Sequence, residues 1–591
     1  MLATDPASGA INMALLDLCG KQAKVPVYQL LGGPTRNKVR ALTLFDERAL
    51  ATGHRAFVVP ISLPQQTTSR PRFVDSVVKR FEALRRAHGE DVDFVADGMG
   101  LLPSAEAADI AVALEALHPL WFDQPCRASN SEVLARLTTE FATPVGLGRD
   151  FEQVGPLLNL LRHGLIDVVR LPLARLGITP IRRAAAVGPI GAAALADVGS
   201  KVRITAIKTF GVTLPIAEQI DRPYVFVKIE TNQGVYDWGE GTLEAKAAAT
   251  LACIEDFREF LIGADPMPVE HHWQSMYVHS FYRADPVIGS ALSAIDQALW
   301  DIRGKILKLP VYKLLGGPYD PAGVHGYYHV NANTPGQMSE VRAKAKQLGV
   351  TAVKGGIPGY FEWIETHAAI SRAVKHVETM RANLGDEIDI GIDFHATTSP
   401  SVASILCREM EPMKLLFIEE PCPPENVKAM QRIAGRSRVP IDTGERLVAS
   451  YNCRELVELG IVDIIQPDIN HVGGITALWN TAALTDASGV KMAPHACEGQ
   501  IGGMATIHVD AAMPNFLIQE ICSGVEPGGK EKIWADRFGF PAMRMVNGKF
   551  PLPTKPGLGF DLEEKQITRF PFAGTKPMAR VFHRDGSVAA W

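Results

Sequence analysis

Three acidic residues stand at one fixed interval, each at the close of an apolar run. They are Asp393 in IDIGIDFHA, Glu419 in KLLFIEEP and Glu445 in VPIDTGERL, separated by 26 (419−393) and 26 (445−419) residues. Ionisable groups continue the series at Asp468 in VDIIQPDIN, His495 in GVKMAPHA and Glu520 in NFLIQE, at steps of 23, 27 and 25. A carboxylate in a buried parallel strand is costly unless it is paired or bound to a cation. Three carboxylates facing one point suit a hard cation with oxygen ligands, best of all Mg²⁺, which keeps positions open for water and substrate. An Asp beside a His, as on the strands of Asp468 and His495, fixes the imidazole tautomer and raises its basicity. Solvated strand-end charges would account for any one of these residues, but poorly for all of them in register.

The elements that must hold such a ladder follow from its period. A strand, a loop, a helix and a return loop take about 25–30 residues. One polar group per unit, just after a β-branched run, predicts a (β/α) barrel of the TIM type with its chemistry at the C-terminal strand ends. Its strands are expected to begin near Val324, Ala352, Ile388, Leu416, Pro440, Val462, Val490 and Phe516. In front, VRITAIKTFGVTLPI and YVFVKIETNQG read as paired strands with a turn at Asn232–Gly234, followed by helix-like stretches at about 243–262 and 287–306. Together they predict an α+β capping domain. Behind the barrel, GKFPLPTKPGLGFDL reads as a Pro/Gly-rich segment returning to that cap.

The chain also repeats itself. Residues 7–34 align without gaps on residues 291–318, from ASGAINMALLDLCGK… against ALSAIDQALWDIRGK…, at an offset of 284 (291−7). A second block, at offset 296, joins VDFVADGMG to IDIGIDFHA, LWFDQPC to LFIEEPC and VGLGRDF to IDTGERL. The first copy thus lacks 12 residues (296−284) where the second has NTPGQMSEVRAKAKQLGV, a helix-like stretch opened by an Asn/Thr-Pro signal. The first copy is expected to have lost most of one barrel helix and to stop near Gly188, after a sixth strand. The predicted domains are therefore 1–199 (a truncated barrel copy), 200–318 (the cap), 319–545 (the catalytic barrel) and 546–591 (the returning segment).

Bulk properties agree with an enzyme of small molecules. The 591 residues carry 65 acidic and 60 basic groups with no basic stripe, which argues against nucleic acid. Eight scattered cysteines form no C-x-x-C pair and read as small buried hydrophobes of a reducing compartment. No charged and apolar leader opens the sequence, and no run of about 18 apolar residues could cross a bilayer. A cytoplasmic protein is expected, with no membrane partner.

Residues 202–565 resemble a complete member of the enolase superfamily, mandelate racemase subgroup, through SALSAIDQALWDIRGK, DFHA, FIEEPCPPEN, GERL, DIIQPDINHVGGI, APH and NFLIQE. The set DFH, GERL, QPD, APH and IQE most resembles the sugar-acid dehydratases of the galactonate dehydratase type. The resemblance implies that Asp393, Glu419 and Glu445 bind Mg²⁺, with Glu420 pointing the other way on the strand. It implies that His495, oriented by Asp468, removes the proton beside the substrate carboxylate to give an enediolate. His395, two residues after Asp393 and so expected on the same strand face, would protonate the departing β-hydroxyl. Racemases of the subgroup carry Lys-x-Lys on the second strand; here AVKGG supplies Lys354 but Gly356, which implies one-base chemistry. Lys354 would help neutralise the substrate carboxylate. Glu520 would hydrogen-bond that carboxylate, which requires it to be protonated, or else orient a neighbour.

The first copy keeps Asp97 but has Asp123 and Arg149 at the next two ligand positions, and Val58, Met99 and Pro172 for the Lys, the acid and the dyad Asp. A decayed or scaffold copy is expected. The whole reads as a Mg²⁺-dependent hydro-lyase that converts an aldonic acid such as galactonate to a 2-keto-3-deoxy sugar acid. An epimerase or cycloisomerase of the subgroup and a non-catalytic sugar-acid sensor or assembly module are the alternatives. The expected partners are the sugar acid and further copies of the chain in a homo-oligomer. Substrate stereochemistry is expected to depend on cap loops near 211–222 and 236–243.

Overall fold

The computed structural model describes residues 6–590 apart from 24, 32–40, 64–68, 90, 152–155, 158–159, 162, 179–180, 182–200, 215–222, 284, 497–498, 522–529 and 542. The expected end of the first copy near Gly188, most of the cap loop at 211–222, and Cys497 and Cys522 lie outside the described residues. Cys19, Cys126, Cys253, Cys407, Cys422 and Cys453 are free thiols. No described helix is long and apolar enough to cross a membrane. Two compact units emerge, residues 1–19 with 36–191 and residues 20–35 with 192–591. The boundary differs from the expected 1–199, because Leu30 is buried in the apolar core of the second unit.

The first unit is a parallel sheet of six described strands in sequence order: β1 (Thr43–Leu44), β2 (Ala56–Pro60), β3 (Asp93–Asp97), β4 (Phe122–Asp123), β5 (Val145–Leu147) and β6 (Val168–Val169). Phe73, Val77 and Phe81, four residues apart on the helix Arg70–His88, form one stripe that buries against Phe57, Val59 and Phe94 of the sheet. Between β1 and β2 stands only the five-residue helix Glu47–Ala51. The corresponding place in the second unit holds the 14-residue helix Pro335–Leu348. There Thr334 and Gln337 form a reciprocal capping box, and Gly349 at φ 69° ends the helix.

The second unit is an α/β barrel with a cap. Its cap sheet consists of β7 (Ile204–Val212), β8 (Tyr224–Thr231) and β9 (Tyr236–Glu240), antiparallel in that order. The barrel strands are β10 (Val324–His329), β11 (Ala352–Gly356), β12 (Asp389–Asp393), β13 (Phe417–Glu419), β14 (Ile441–Thr443), β15 (Ile464–Ile465), β16 (Lys491–Met492) and β17 (Gln519–Ile521). They pair in parallel from β10 to β16, β17 pairs with β10, and a parallel bridge between Met492 and Phe516 closes the ring. Buried Tyr327, Ala352, Phe417, Ile464, Ala493 and Ile518 cluster from its strands as a packed core rather than a pore. The segment expected as a cap loop near 236–243 is strand through Glu240.

One helix joins cap to barrel. Pro286–Leu307 starts on Asp285, whose side chain accepts from Val287 N at 2.8 Å. It lies so close to β9 that a Cβ on Gly239 would stand 1.8 Å from Ala294 O. Its polar residues bind the loop and helix after β15. Asp296 accepts from Thr476 N (2.9 Å) and Oγ1 (2.6 Å), Ser293 Oγ accepts from Gly473 N (3.0 Å), and Gln297 Nε2 donates to Asn470 Oδ1 (2.9 Å). The motifs SALSAIDQALWD and DINHVGGI are thus two halves of one buried joint. After the barrel, β18 (Lys549–Phe550) pairs antiparallel with β10. Leu558 N then donates to Asp301 at 2.8 Å, and Trp238 Nε1 to Leu562 O at 3.0 Å, so the tail returns to the cap.

Candidate active site

The parallel register puts Gly356, Asp393, Glu419 and Asp442 at one level. Gly356 pairs with Asp393, Asp393 with Glu419, and Glu419 with Asp442. Asp393 and Glu419 close their strands, and Glu445, Asp468 and His495 stand just beyond the ends of β14, β15 and β16, so the apolar part stays in the packed barrel and the charges open into the C-terminal mouth. The turns beyond need left-handed backbone. Gly444 has φ 151°, and a Cβ there would lie 2.6 Å from Gln466 N, which accounts for the Gly of GERL.

Two side chains are aimed by turns rather than by strand alternation. His395 (φ 50°) and Glu420 (φ 40°) lie beyond their strands, in left-handed conformation, so strand alternation no longer governs them. His395 still reaches the site: its Nε2 is 3.9 Å from Glu445 Oε1, and its backbone N donates to Asp393 Oδ1 at 2.6 Å. Glu420 does not turn away. It is buried, pairs with Arg446 at 3.0 Å and lies beside Glu445. Arg446 also meets Glu445 at 3.3 Å.

His495 and Asp468 form the expected pair, with Nδ1 2.6 Å from Asp468 Oδ2. The other imidazole nitrogen, Nε2, is 3.2 Å from Glu445 Oε2 and 3.8 Å from Glu520 Oε2. Burial alone would lower the His495 pKa, but Glu520, Asp468 and Glu445 outweigh it and hold the imidazole well above its ordinary value. Burial pushes the Glu445 carboxyl up, while His495, His395 and Arg446 pull it down to about 2.

On the other side of the mouth, Lys354 is enclosed. Its Nζ donates to Glu419 Oε1 (2.9 Å) and Oε2 (2.7 Å), meets Glu520 Oε1 at 2.5 Å and stands 3.9 Å from Asp393 Oδ2. Burial would lower the Lys354 pKa, but Glu419 and Glu520 keep it well raised. Burial raises the Glu520 carboxyl, yet Lys354, His329 and His495 more than offset that and pull it well below its ordinary value. Its second expected role, orienting neighbours, agrees with these contacts and with Ala496 N donating to its Oε2 at 3.2 Å.

His329, at the end of β10, contacts Glu520 Oε1 through Nε2 and escaped the sequence reading. The signal was present: His329 precedes Lys354 by 25 residues (354−329), the step of the ladder itself. Gln466 was also missed. Its Nε2 donates to Glu419 Oε2 at 3.1 Å and to buried Asp442, on the floor of the site.

Whether these residues suit a divalent cation is a question of donor chemistry. Among the described residues, no three His, Cys, Asp or Glu side chains already close on one point as a metal cage. Glu419 is drawn to Lys354, and Glu445 to the two histidines. The donor set nevertheless fits: Asp393, Glu419 and Glu445 offer only oxygen, from successive strands. Burial and the Asp393 charge push the Glu419 carboxyl well up, the mark of crowded carboxylates that a hard cation would relieve.

The first unit shows the same turns without the same chemistry. Met99 (φ 55°) and Gln124 (φ 41°) repeat the backbone of His395 and Glu420, and Met99 N donates to Asp97 Oδ1 at 2.8 Å. Arg149 Nη1 donates to Asp97 Oδ2 at 2.8 Å, and Arg170 Nη1 pairs with buried Asp123. At the offset of 296 (466−170), Arg170 occupies the position of Gln466. Two guanidinium groups thus divide the pairing of Asp97 and Asp123 between them.

An enolase C-terminal domain-like family model matches residues 45–189 and 338–566, and a mandelate racemase/muconate lactonizing enzyme N-terminal domain model matches 201–316. Among solved structures, a candidate dehydratase from Zymomonas mobilis ZM4 is 26% identical, covering 62% of this chain and 98% of its own, with a TM-score of 0.58. A candidate mandelate racemase/muconate lactonizing enzyme from Labrenzia alexandrii DFL-11 is 29% identical over 63% of this chain and 98% of its own, with a TM-score of 0.58. A candidate galactarate dehydratase from Agrobacterium radiobacter, with bound Na and L-malate, is 27% identical over 66% of this chain and 99% of its own, with a TM-score of 0.60.

Proposed function

This chain belongs to the enolase superfamily, and we propose that its second unit dehydrates an aldonic acid such as galactonate to the 2-keto-3-deoxy acid. The observation that carries the reading is the Asp468–His495 pair at 2.6 Å, with His495 Nε2 turned toward Glu445 and Glu520. The candidate dehydratases and the galactarate dehydratase candidate among its structural neighbours support a dehydratase over a racemase. So does Gly356, which leaves the second strand without a second base.

Asp393, Glu419 and Glu445 would hold Mg²⁺, which when bound supplies positive charge to the substrate carboxylate as negative charge grows there. His495 takes the proton from the α-carbon through Nε2, with Asp468 fixing Nδ1 as the protonated nitrogen. His395 donates a proton to the β-hydroxyl as its C–O bond breaks, so that water leaves. The resulting enol then becomes the ketone. Glu520 anchors Lys354 and faces His495. The first unit, with Arg149 and Arg170 on its acidic residues, takes no part in the chemistry.

Incubation of the protein and Mg²⁺ with a library of acid sugars, followed by an α-keto-acid assay, tests the reading. Metal-dependent keto-acid from an aldonic acid supports it. Product that retains its water would point to an epimerase or cycloisomerase, and binding without any product to a sensor.

A further inference from the structure

Glu419 is held from two sides. Lys354 Nζ donates to both of its oxygens, and Gln466 Nε2 donates to Oε2 at 3.1 Å. The same Nε2 also donates to Oδ2 of Asp442, the register partner of Glu419 on the next strand. A primary amide carries two N–H groups, and here each serves a carboxyl group. Turning the amide over would aim its oxygen at both, so its orientation is fixed. All three side chains are buried, and Asp442 Oδ1 meets no donor among the described residues. A buried carboxyl group with so little support is costly, so packing alone does not account for it.

Resting on the reading above that Asp393, Glu419 and Glu445 would hold Mg²⁺, we propose that Gln466 and Asp442 are positioning residues for that site. Asp442 locks the Gln466 amide, and the locked amide pins Glu419 Oε2. Oε1, which faces Lys354 alone, is left for the cation. Lys354 keeps a second anchor in Glu520, so its ammonium stays paired. An amide suits this task because it is neutral. The first unit shows the contrast: at the offset of 296, Arg170 replaces Gln466 (466−170) and Gly146 replaces Asp442 (442−146). Arg170 also holds the adjacent carboxylate, Asp123, but with a charge that repels a cation. A Cβ on Gly146 would stand 2.5 Å from Trp121 and 2.9 Å from Asp123 Oδ1, so no Asp fits there. Both members of the pair are thus missing where arginines cover Asp97 and Asp123 instead.

Calorimetric titration of the full chain with Mg²⁺ tests this without turnover. Gln466→Met, which keeps the volume but has no N–H, should weaken Mg²⁺ binding about tenfold or more, the usual weight of a residue that orients a metal ligand. Asp442→Ala should weaken it as well. Asp442→Asn, which keeps an oxygen for the Gln466 amide, should recover most of that loss. The variant with both Gln466→Met and Asp442→Ala should bind no more weakly than Gln466→Met, because Asp442 acts through Gln466. If Gln466→Met does not fold, Gln466→Ala carries the same test. Unchanged affinity in Gln466→Met, losses that add in the double variant, Asp442→Asn as weak as Asp442→Ala, or no Mg²⁺ binding by the native protein would each overturn the assignment. The expected losses without keto-acid from any acid sugar would instead sink the dehydratase reading and leave this one standing.

Discussion

His495 and His395 lie on the two sides of Glu445, at 3.2 Å and 3.9 Å, and the proposed chemistry gives them separable tasks. His495→Asn should abolish exchange of the substrate α-proton with deuterated solvent. His395→Asn should retain exchange but form keto-acid at least about 100-fold more slowly, the usual weight of a general acid. Full dehydration by the His495 variant would refute the base assignment. The Asp468–His495 pairing was legible from the interval alone, since successive units of a barrel place their strand ends side by side. The turns that aim His395 and Glu420 were not. Both have left the strand with positive φ, and alternation along a strand says nothing about a turn. Nor was the downward shift of the Glu520 carboxyl legible, because it depends on Lys354 and His329, which are distant in the chain. A second residue-scale expectation concerns the cation: Asp393→Asn or Glu445→Gln should weaken Mg²⁺ binding about tenfold or more by titration, each removing one charged oxygen donor.

At the scale of elements, the β-branched runs located the strands. Expected starts at Val324 and Ala352 coincide with β10 and β11, and Leu416 and Pro440 fall one residue before β13 and β14. Helix Val269–His279 was not read, because VEHHWQSMYVH carries three histidines and no clear apolar stripe; its Trp273, Met276 and Tyr277 are buried only by tertiary packing. The joint around Pro286–Leu307 also lay beyond sequence reasoning, since its partners are some 180 residues away. That joint has a measurable consequence. Asp296 is buried, and burial pushes its carboxyl from 3.8 to about 8 despite the hydrogen bonds from Thr476. The folded protein therefore holds a proton there that the unfolded chain gives up near pH 4. Stability from this group is greatest below that pH and falls as pH rises toward 8. Asp296→Asn should flatten that decline in denaturant titrations between pH 5 and 8, and an unchanged slope would show that other groups carry it. Gly239→Ala should destabilise by about 1–3 kcal/mol or more, because its Cβ would press on the helix carbonyl of Ala294.

At the scale of the molecule, one strand-and-turn pattern appears twice with opposite electrostatic endings. The second unit gathers carboxylates around Lys354, whereas Arg149 and Arg170 cover Asp97 and Asp123 in the first. A guanidinium satisfies a buried carboxylate directly and repels a cation. Mg²⁺ should accordingly titrate to one site per chain. Arg149→Glu alone should leave that number at one, because Arg170 still holds Asp123. A chain beginning at Lys201 retains the cap sheet, all eight barrel strands and the returning tail, so it should fold and keep its kcat. It also loses residues 20–35, which belong to the second unit, including buried Leu30. Loss of one buried Leu typically costs about 2–5 kcal/mol where the site cannot collapse, so the thermal midpoint of the shortened chain should fall. Restoring residues 20–35 as a free peptide at high concentration should raise it again, while kcat stays level throughout. A shortened chain that is folded, binds Mg²⁺ and still lacks turnover after residues 20–35 are restored would show that the first unit contributes to catalysis after all.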